Sequence, residues 1–186
     1  YDISNYYMEH KVQEAEAMKN AKARVLEVAA MFEKTFGRKY GFFEEFMMED
    51  AEVALVLIGS TAGTAKHCIK QLRERGVKAG LVKIRMFRPF PAAELAQALA
   101  GCKAVAVMDK SEGFNACGGP LFAETRAACY DLPNRPKMID IVYGLGGRDV
   151  AVEDIERVFN RLLKIVETGE VGQLYTHMGQ REKEVR

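Results

Sequence analysis

The sequence has 186 residues, of which 48% are hydrophobic and 28% are charged; this composition is that of an ordinary folded domain and excludes a disordered chain. The 27 lysines and arginines nearly balance the 26 aspartates and glutamates, so the overall charge does not favour nucleic acid as a partner. Apolar runs such as 53–58 are far shorter than the roughly 20 residues that span a bilayer, and the first residues do not resemble a signal peptide. We therefore expect a cytoplasmic protein without a membrane partner.

The spacing of apolar residues predicts a long N-terminal helix followed by alternating strands and helices. The helix covers about 5–36 and ends at Gly37, and the aromatic segment 40–46 predicts an edge strand. Four further strands are expected at 53–58, 77–84, 104–108 and 138–142, and four helices at 64–75, 92–99, 120–130 and 151–166. This alternation predicts right-handed crossovers and a three-layer α/β/α fold around a mostly parallel sheet.

The same pattern divides the chain into three segments. We expect a helical arm at 1–38, an α/β domain at 39–168 and a polar tail at 169–186 that is ordered only where something holds it. The sequence begins with Tyr1 rather than Met, which we interpret as a sign either of processing or of a fragment of something longer.

The loop after the second predicted strand has the sequence I-G-S-T-A-G-T. In open parallel sheets, ligands and partners usually contact the loops at the carboxyl ends of the strands, and the N-terminus of a helix favours anions. The alternative is a tight turn with Ser60 or Thr61 as N-cap, because the loop matches neither common nucleotide-binding pattern. The candidate ligand residues here are Gly59, Ser60, Thr61, Gly63 and Thr64.

Two further loops follow later strands. In the loop from Met108 to Pro120, a carboxylate and several glycines could line a site. Because no second acid or histidine lies nearby in sequence, Asp109 as a loop-capping residue is the favoured interpretation. In the loop from Tyr143 to Val150, glycines could form an anion-binding nest beside an arginine; the alternative is that Arg148 and Asp149 pair or cap the last helix. The candidates are Asp109, Ser111, Gly118 and Gly119 in the first of these loops, and Gly144, Gly146, Gly147, Arg148 and Asp149 in the second.

The sequence predicts neither a catalytic nucleophile nor a metal site. Its four cysteines form no C-x-x-C pair, and we interpret them as small buried hydrophobic residues. The histidines His10, His67 and His177 are far apart in sequence, so a Ser-His-Asp arrangement is a poor expectation.

Four strings follow one another in a fixed order along the chain: I-G-S-T-A-G-T, L-R-E-R-G-V-K-A-G-L-V-K-I-R-M-F-R-P-F-P, V-A-V-M-D-K-S and Y-G-L-G-G-R-D-V. In this order they resemble the C-terminal domain of the α chain of pyruvate:ferredoxin oxidoreductase. The resemblance runs from roughly Tyr6 to Leu163 and implies a transketolase C-terminal-like fold with five strands, the first antiparallel to the others.

The resemblance also implies a function. In that family the complete enzyme decarboxylates a 2-oxoacid on thiamine diphosphate with Mg²⁺, passes electrons through Fe–S clusters to ferredoxin and releases an acyl-CoA. The strings R-P-F-P and G-L-G-G-R-D look more like the pyruvate branch than the 2-oxoglutarate branch. The expected partners are therefore the β, γ and δ chains, and CoA and ferredoxin through the complex.

This chain departs from the family in lacking the G-D-G…N pattern of thiamine diphosphate sites and the cysteine sets of Fe–S clusters. We therefore expect a non-catalytic scaffolding domain that binds none of these cofactors alone, with Arg148 reaching a CoA phosphate or a neighbouring carboxylate. The alternative is a stand-alone nucleotide- or CoA-binding Rossmann-like domain.

Overall fold

The computed structural model describes residues 3–181. Their internal contacts group them into two units, one from the described parts of 1–43 and 85–91 and the other from those of 44–84 and 92–186. None of the helices in the described part of the chain is both long enough and apolar enough to cross a membrane.

The first unit contains the long helix α1 (Tyr7–Phe36), none of whose residues is buried. The helix ends at Gly37, whose φ of 68° is left-handed and whose N–H donates to the Glu33 carbonyl over 2.8 Å, a common way to satisfy the last carbonyls of a helix. The backbone N–H groups of Arg85 and Met86 both donate to the Phe42 carbonyl over 2.9 Å. These bonds connect the two segments of this unit.

The described residues form a six-stranded sheet, and all of its residues except Phe43 belong to the second unit. Its strands are β1 (Phe43–Phe46), β2 (Val53–Ile58), β3 (Ala79–Ile84), β4 (Ala104–Asp109), β5 (Lys137–Val142) and β6 (Tyr175–His177). They lie in the order β1-β3-β2-β4-β5-β6. The last five are parallel and the edge strand β1 is antiparallel. This confirms the predicted fold class, with one strand more than the five expected.

Four helices cover the sheet: α2 (Ala62–Glu74), α3 (Ala92–Leu99), α4 (Pro120–Ala128) and α5 (Val152–Thr168). Helix α2 packs with α5, and α3 packs with α4. Every residue of β4 is buried, which explains why its sequence is a continuous apolar run up to Asp109 rather than an alternating one.

The additional strand β6 lies in the segment predicted as a polar tail. The Asp140 N–H donates to the Leu174 carbonyl, and the Met178 N–H donates to the Val142 carbonyl, each over 2.8 Å. Arg161 of α5 adds a hydrogen bond of 3.1 Å to the Thr176 hydroxyl. The tail thus joins the sheet through backbone bonds, which need no apolar sequence pattern.

Candidate functional site

The three candidate loops all begin where strands of the sheet end, at the carboxyl ends of those strands. They follow β2, β4 and β5, which are neighbours and parallel, so their carboxyl ends lie side by side. The chain reverses its direction of strand addition between β2 and β4, and in open α/β sheets ligands usually bind at such a switch point. The candidate residues are therefore clustered, while their role in binding stays a prediction.

In the first loop, backbone bonds rather than hydroxyl groups form the turn. The Gly63 N–H donates to the Ser60 carbonyl over 2.9 Å, and Gly59 has a left-handed φ of 95°. Thr61 is the N-cap residue of α2, but its side chain makes no capping hydrogen bond. Helix α2 begins at Ala62, two residues before the predicted start, so Gly63 and Thr64 lie in its first turn.

In the second loop, the Asp109 carboxylate is buried and already accepts hydrogen bonds from the chain's own backbone. It is only 4% exposed, and its two carboxylate oxygens accept the N–H groups of Leu121 over 3.1 Å and Phe122 over 2.9 Å. Burial raises the pKa of Asp109, and the two backbone hydrogen bonds oppose that rise. This carboxylate binds the first turn of α4, which favours the capping alternative over a ligand contact.

Gly118 and Gly119 in this loop are needed for close approach to two carboxylates. A Cβ at Gly118 would collide with the Asp140 carboxylate, and one at Gly119 would collide with the Asp109 carboxylate. The Gly119 N–H donates to Oδ2 of Asp140 over 2.6 Å. Ser111, the remaining candidate of the loop, is exposed.

Asp140 is a buried carboxyl that the sequence analysis did not single out. It is fully buried in β5, and its Oδ1 atom has no hydrogen-bond partner among residues 3–181. Burial raises its pKa to about 6, and the nearby Asp109 contributes to that rise. The signal in the sequence is a single charged residue inside the apolar run M-I-D-I-V.

In the third loop, Arg148 points to the chain's own tail. Gly144, Gly146 and Gly147 all have positive φ, and the Arg148 guanidinium donates to the Gly179 carbonyl. The first turn of α5 is capped by Asp154, which accepts the Ala151 N–H over 2.9 Å. Neither Arg148 nor the exposed Asp149 therefore caps this helix.

A second group of side chains, which the sequence analysis missed, consists of Glu112, Tyr175 and His177. The His177 Nε2 atom lies 2.7 Å from Glu112 Oε2 and 3.1 Å from the Tyr175 hydroxyl, which also donates to Glu112. The Tyr175 and His177 hydrogen bonds lower the pKa of Glu112 to about 2. Burial and the Glu112 contact raise the pKa of Tyr175 to about 12.

A pocket of about 310 Å³ lies between the third loop and the tail. It is lined by Val142, Tyr143, Gly144, Leu145, Arg148, His177, Met178 and Gln180. Tyr143 is buried; burial raises its pKa, and the neighbouring Thr61 side chain opposes that rise. The pocket therefore brings His177, which contacts the Glu112 carboxylate, next to the third candidate loop.

The cofactors implied by the resemblance, an Fe–S cluster and Mg²⁺ with thiamine diphosphate, each need a set of protein ligands. Within 3–181, no group of three or more His, Cys, Asp or Glu side chains could hold a metal ion. Burial raises the thiol pKa of Cys68 to about 11, of Cys102 to about 12 and of Cys129 to about 11. These three cysteines are protonated at neutral pH.

A mostly parallel sheet with one antiparallel edge strand and helices on both faces defines an α/β domain of the transketolase C-terminal kind. A solved structure described as "Split gene transketolase, inactive beta4 tetramer" shares this fold, with a TM-score of 0.52 and 15% identity over 68% of this chain and 43% of that chain.

Comparison of sequences is more specific. Residues 51–155 match the family described as "Pyruvate:ferredoxin oxidoreductase core domain II". The subunit PorA of pyruvate synthase from Thermotoga maritima is 48% identical over 85% of this chain and 40% of its own length. The subunit VorA of ketoisovalerate oxidoreductase from Pyrococcus horikoshii is 37% identical over 89% of this chain and 42% of its own length. The chain belongs to the pyruvate:ferredoxin oxidoreductase family, and it spans less than half the length of these relatives.

Proposed function

We propose that this chain is a non-catalytic scaffolding and interaction domain of the α subunit of a pyruvate:ferredoxin oxidoreductase. The complete cytoplasmic enzyme would convert pyruvate and CoA to acetyl-CoA and CO₂ while reducing ferredoxin. The observation that carries this proposal is the match of residues 51–155 to the core domain II of that family. The identity of 48% to a pyruvate synthase subunit supports pyruvate as the oxoacid.

The proposal assigns thiamine diphosphate, Mg²⁺ and the Fe–S clusters to other parts of the enzyme. The described residues of this chain offer no matching ligand set, and Asp109 already accepts backbone N–H groups of α4. The complex would contain β, γ and δ chains as partners.

The three loops at the carboxyl edge would then form the contact surface for neighbouring domains. Exposed apolar side chains in two of them support this role: Phe114 is 92% exposed and Leu145 is 47% exposed. In this arrangement 1–38 serves as the helical arm, 39–168 as the α/β domain and 169–186 as the tail. Arg148 remains a candidate for a CoA phosphate or a partner carboxylate only if its bond to Gly179 opens.

The test begins with the subunit's full reading frame co-produced with its partner chains. We expect pyruvate-dependent and CoA-dependent reduction of ferredoxin by the assembled enzyme, and none by the 186-residue chain alone. Calorimetry of the chain with thiamine diphosphate and Mg²⁺ should show no binding. Turnover or tight cofactor binding by the chain alone would overturn the scaffolding role, and a strong preference for a branched-chain oxoacid would overturn the assignment to pyruvate.

The contact surface is tested with Leu145→Glu and Phe114→Glu, compared with Tyr130→Glu, whose ring is 67% exposed beyond the C-terminus of α4. We expect the two loop variants to reduce the assembled fraction in native mass spectrometry and the control to leave it unchanged, because only the loop variants place a charge in an apolar contact. Equal losses in all three variants, or none in the loop variants, would contradict this assignment.

A further inference from the structure

Three basic side chains surround a pocket at the amino ends of the strands, opposite the candidate loops. Arg135 precedes β5, Lys137 is its first residue, and Arg126 lies in the last turn of α4. The pocket has a volume of about 510 Å³, which falls in the usual range of roughly 300–1,000 Å³ for small-molecule sites. Because the strands β2 to β6 are parallel, the amino end of β5 is remote from the loops at their carboxyl ends.

The two arginines are held by aromatic rings rather than by carboxylates. The Arg126 guanidinium lies 5.8 Å from the centre of the Phe122 ring, and that of Arg135 lies 5.3 Å from the Tyr130 ring. Stacking on a ring uses the face of a guanidinium and leaves its N–H groups at the rim free to donate. Both guanidinium groups can therefore still donate hydrogen bonds to another group.

None of the three cations has an ion pair with any residue in 3–181, and no acidic residue lines the pocket. Other basic residues of the same unit behave differently: Lys103 pairs with Glu52 over 2.5 Å, and Arg75 pairs with Glu156 over 2.7 Å. Three like charges around one depression repel one another unless an anion lies between them.

The rest of the pocket is apolar and partly enclosed. Cys129 and Met138 are buried in its lining, at 2% and 8% exposure. The segment before β6 completes the lining with Val171, Gly172 and Leu174. An apolar lining strengthens charge-assisted hydrogen bonds because it excludes water from one side of the bound group.

We propose that this pocket binds the phosphate groups of a small phosphorylated molecule. A phosphate ester carries a charge of about −1.5 to −2 at neutral pH with three acceptor oxygens, which matches three cations better than a single carboxylate does. The guanidinium fork suits bidentate contact with phosphate oxygens. The exposed Tyr130 ring at the rim offers a surface for the organic part of the ligand. This inference does not depend on the proposed function.

The test uses inorganic pyrophosphate as the probe and the 186-residue chain, titrated by calorimetry at low salt and again at 150 mM salt. We expect saturable binding that is weakened about a hundredfold in Arg126→Ala/Arg135→Ala, since each of the two lost charge-assisted contacts weakens binding by about tenfold. The matched control is Lys70→Ala/Lys164→Ala, which removes the same net charge from exposed positions outside the pocket and should bind like the wild type. Arg135→Lys keeps the charge but loses the fork, and we expect an intermediate affinity.

Succinate and hexaglutamate distinguish phosphate from carboxylate ligands. Binding of either one more tightly than pyrophosphate would overturn the phosphate assignment, and the second result would point to an acidic peptide instead. Absence of saturable pyrophosphate binding, or equal weakening in the pocket variant and the lysine control, would overturn the site itself. Should the double variant fold poorly by circular dichroism, Arg135→Lys still decides the question, because an unchanged affinity in it would contradict the fork contact.

Discussion

The Nε2 atom of His177 lies 2.7 Å from Oε2 of Glu112, although 65 positions separate the two residues in the chain. Glu112 belongs to the loop after β4 and His177 to β6, which are separated in the sheet by β5. The bond therefore joins the tail to the second candidate loop across an intervening strand.

This contact predicts a specific response to acid. Hydrogen bonds from Tyr175 and His177 lower the pKa of Glu112 from its ordinary 4.5 to about 2. A carboxyl with a depressed folded-state pKa stabilises the fold above its unfolded pKa, and that contribution is lost as the pH falls towards the folded pKa. We expect the urea midpoint of the wild type to fall more steeply between pH 4.5 and 2 than that of Glu112→Gln. The control is Glu170→Gln, at an exposed position, whose urea midpoint should fall with pH as steeply as that of the wild type. If the midpoint of this control instead falls as gently as that of Glu112→Gln, the prediction is contradicted.

Asp140 predicts the opposite dependence on pH. Burial raises its pKa from 3.8 to about 6, so the folded state holds a proton that the unfolded state releases, and stability falls as the pH rises from 3.8 to 6. Asp140→Asn keeps an oxygen for the Gly119 N–H and removes the ionisation. We expect this variant to be more stable than the wild type at pH 8, by up to about 3 kcal/mol for a shift of roughly two pKa units, and to lose the advantage near pH 4. Chemical denaturation at the two pH values measures this, and equal differences at both would refute it.

Gly119 tests the close approach to Asp109. The Gly119 backbone has a φ of −73°, so alanine there meets no backbone strain, yet its Cβ would collide with the Asp109 carboxylate. We expect Gly119→Ala to reduce the free energy of unfolding by about 1–3 kcal/mol or more, as overpacking usually does. Gly63→Ala is the matched control, because nothing lies within 4 Å of its Cβ position and alanine favours the helix α2 by about 0.5–1 kcal/mol. A loss of stability in both variants, measured by urea unfolding, would argue against a steric cause.

A variant of Arg148 tests whether the side chain of this residue holds the tail in place. Its guanidinium donates to the Gly179 carbonyl, next to Met178, whose N–H donates to Val142. We expect Arg148→Ala to speed hydrogen exchange at Met178 and in β6 while amides in β4 keep their protection, since local opening follows the loss of local contacts. Arg157→Ala, which removes an exposed ion pair with Asp154, should leave β6 unchanged. Unaltered exchange at Met178 in Arg148→Ala would show that the backbone bonds of β6 suffice.

The ladder of parallel strands could be predicted because each central strand is a continuous apolar run between helical segments, as in β2 and β4. The strand β6 could not, since Tyr175–His177 is short and joins the sheet through its backbone. The edge strand was predicted at 40–46 and is found at Phe43–Phe46. The ends of a strand depend on which of its residues pair with a neighbouring strand, so the local sequence pattern predicts these ends only approximately.

Of the candidate site, too, the sequence predicted one part and not the other. The glycines of the second loop were predicted as flexible backbone around a ligand, whereas Gly118 and Gly119 are required by the two carboxylates against which they pack. Asp109 was predicted with capping as the alternative, and it accepts the N–H groups at the start of α4. Asp140 was not predicted, because its partner Gly119 is 21 residues away in sequence.

The amino-acid pattern alone was enough for the α/β class, for the loops at the carboxyl edge and, through its ordered strings, for the family. These features are local or repeat along the chain, so apolar periodicity and glycine positions record them directly. The cluster of Glu112, Tyr175 and His177, the buried Asp140 and the basic pocket around Arg126, Arg135 and Lys137 needed the fold. Each brings together residues from elements whose neighbourhood depends on strand order, and strand order follows from packing of the whole sheet rather than from any one segment.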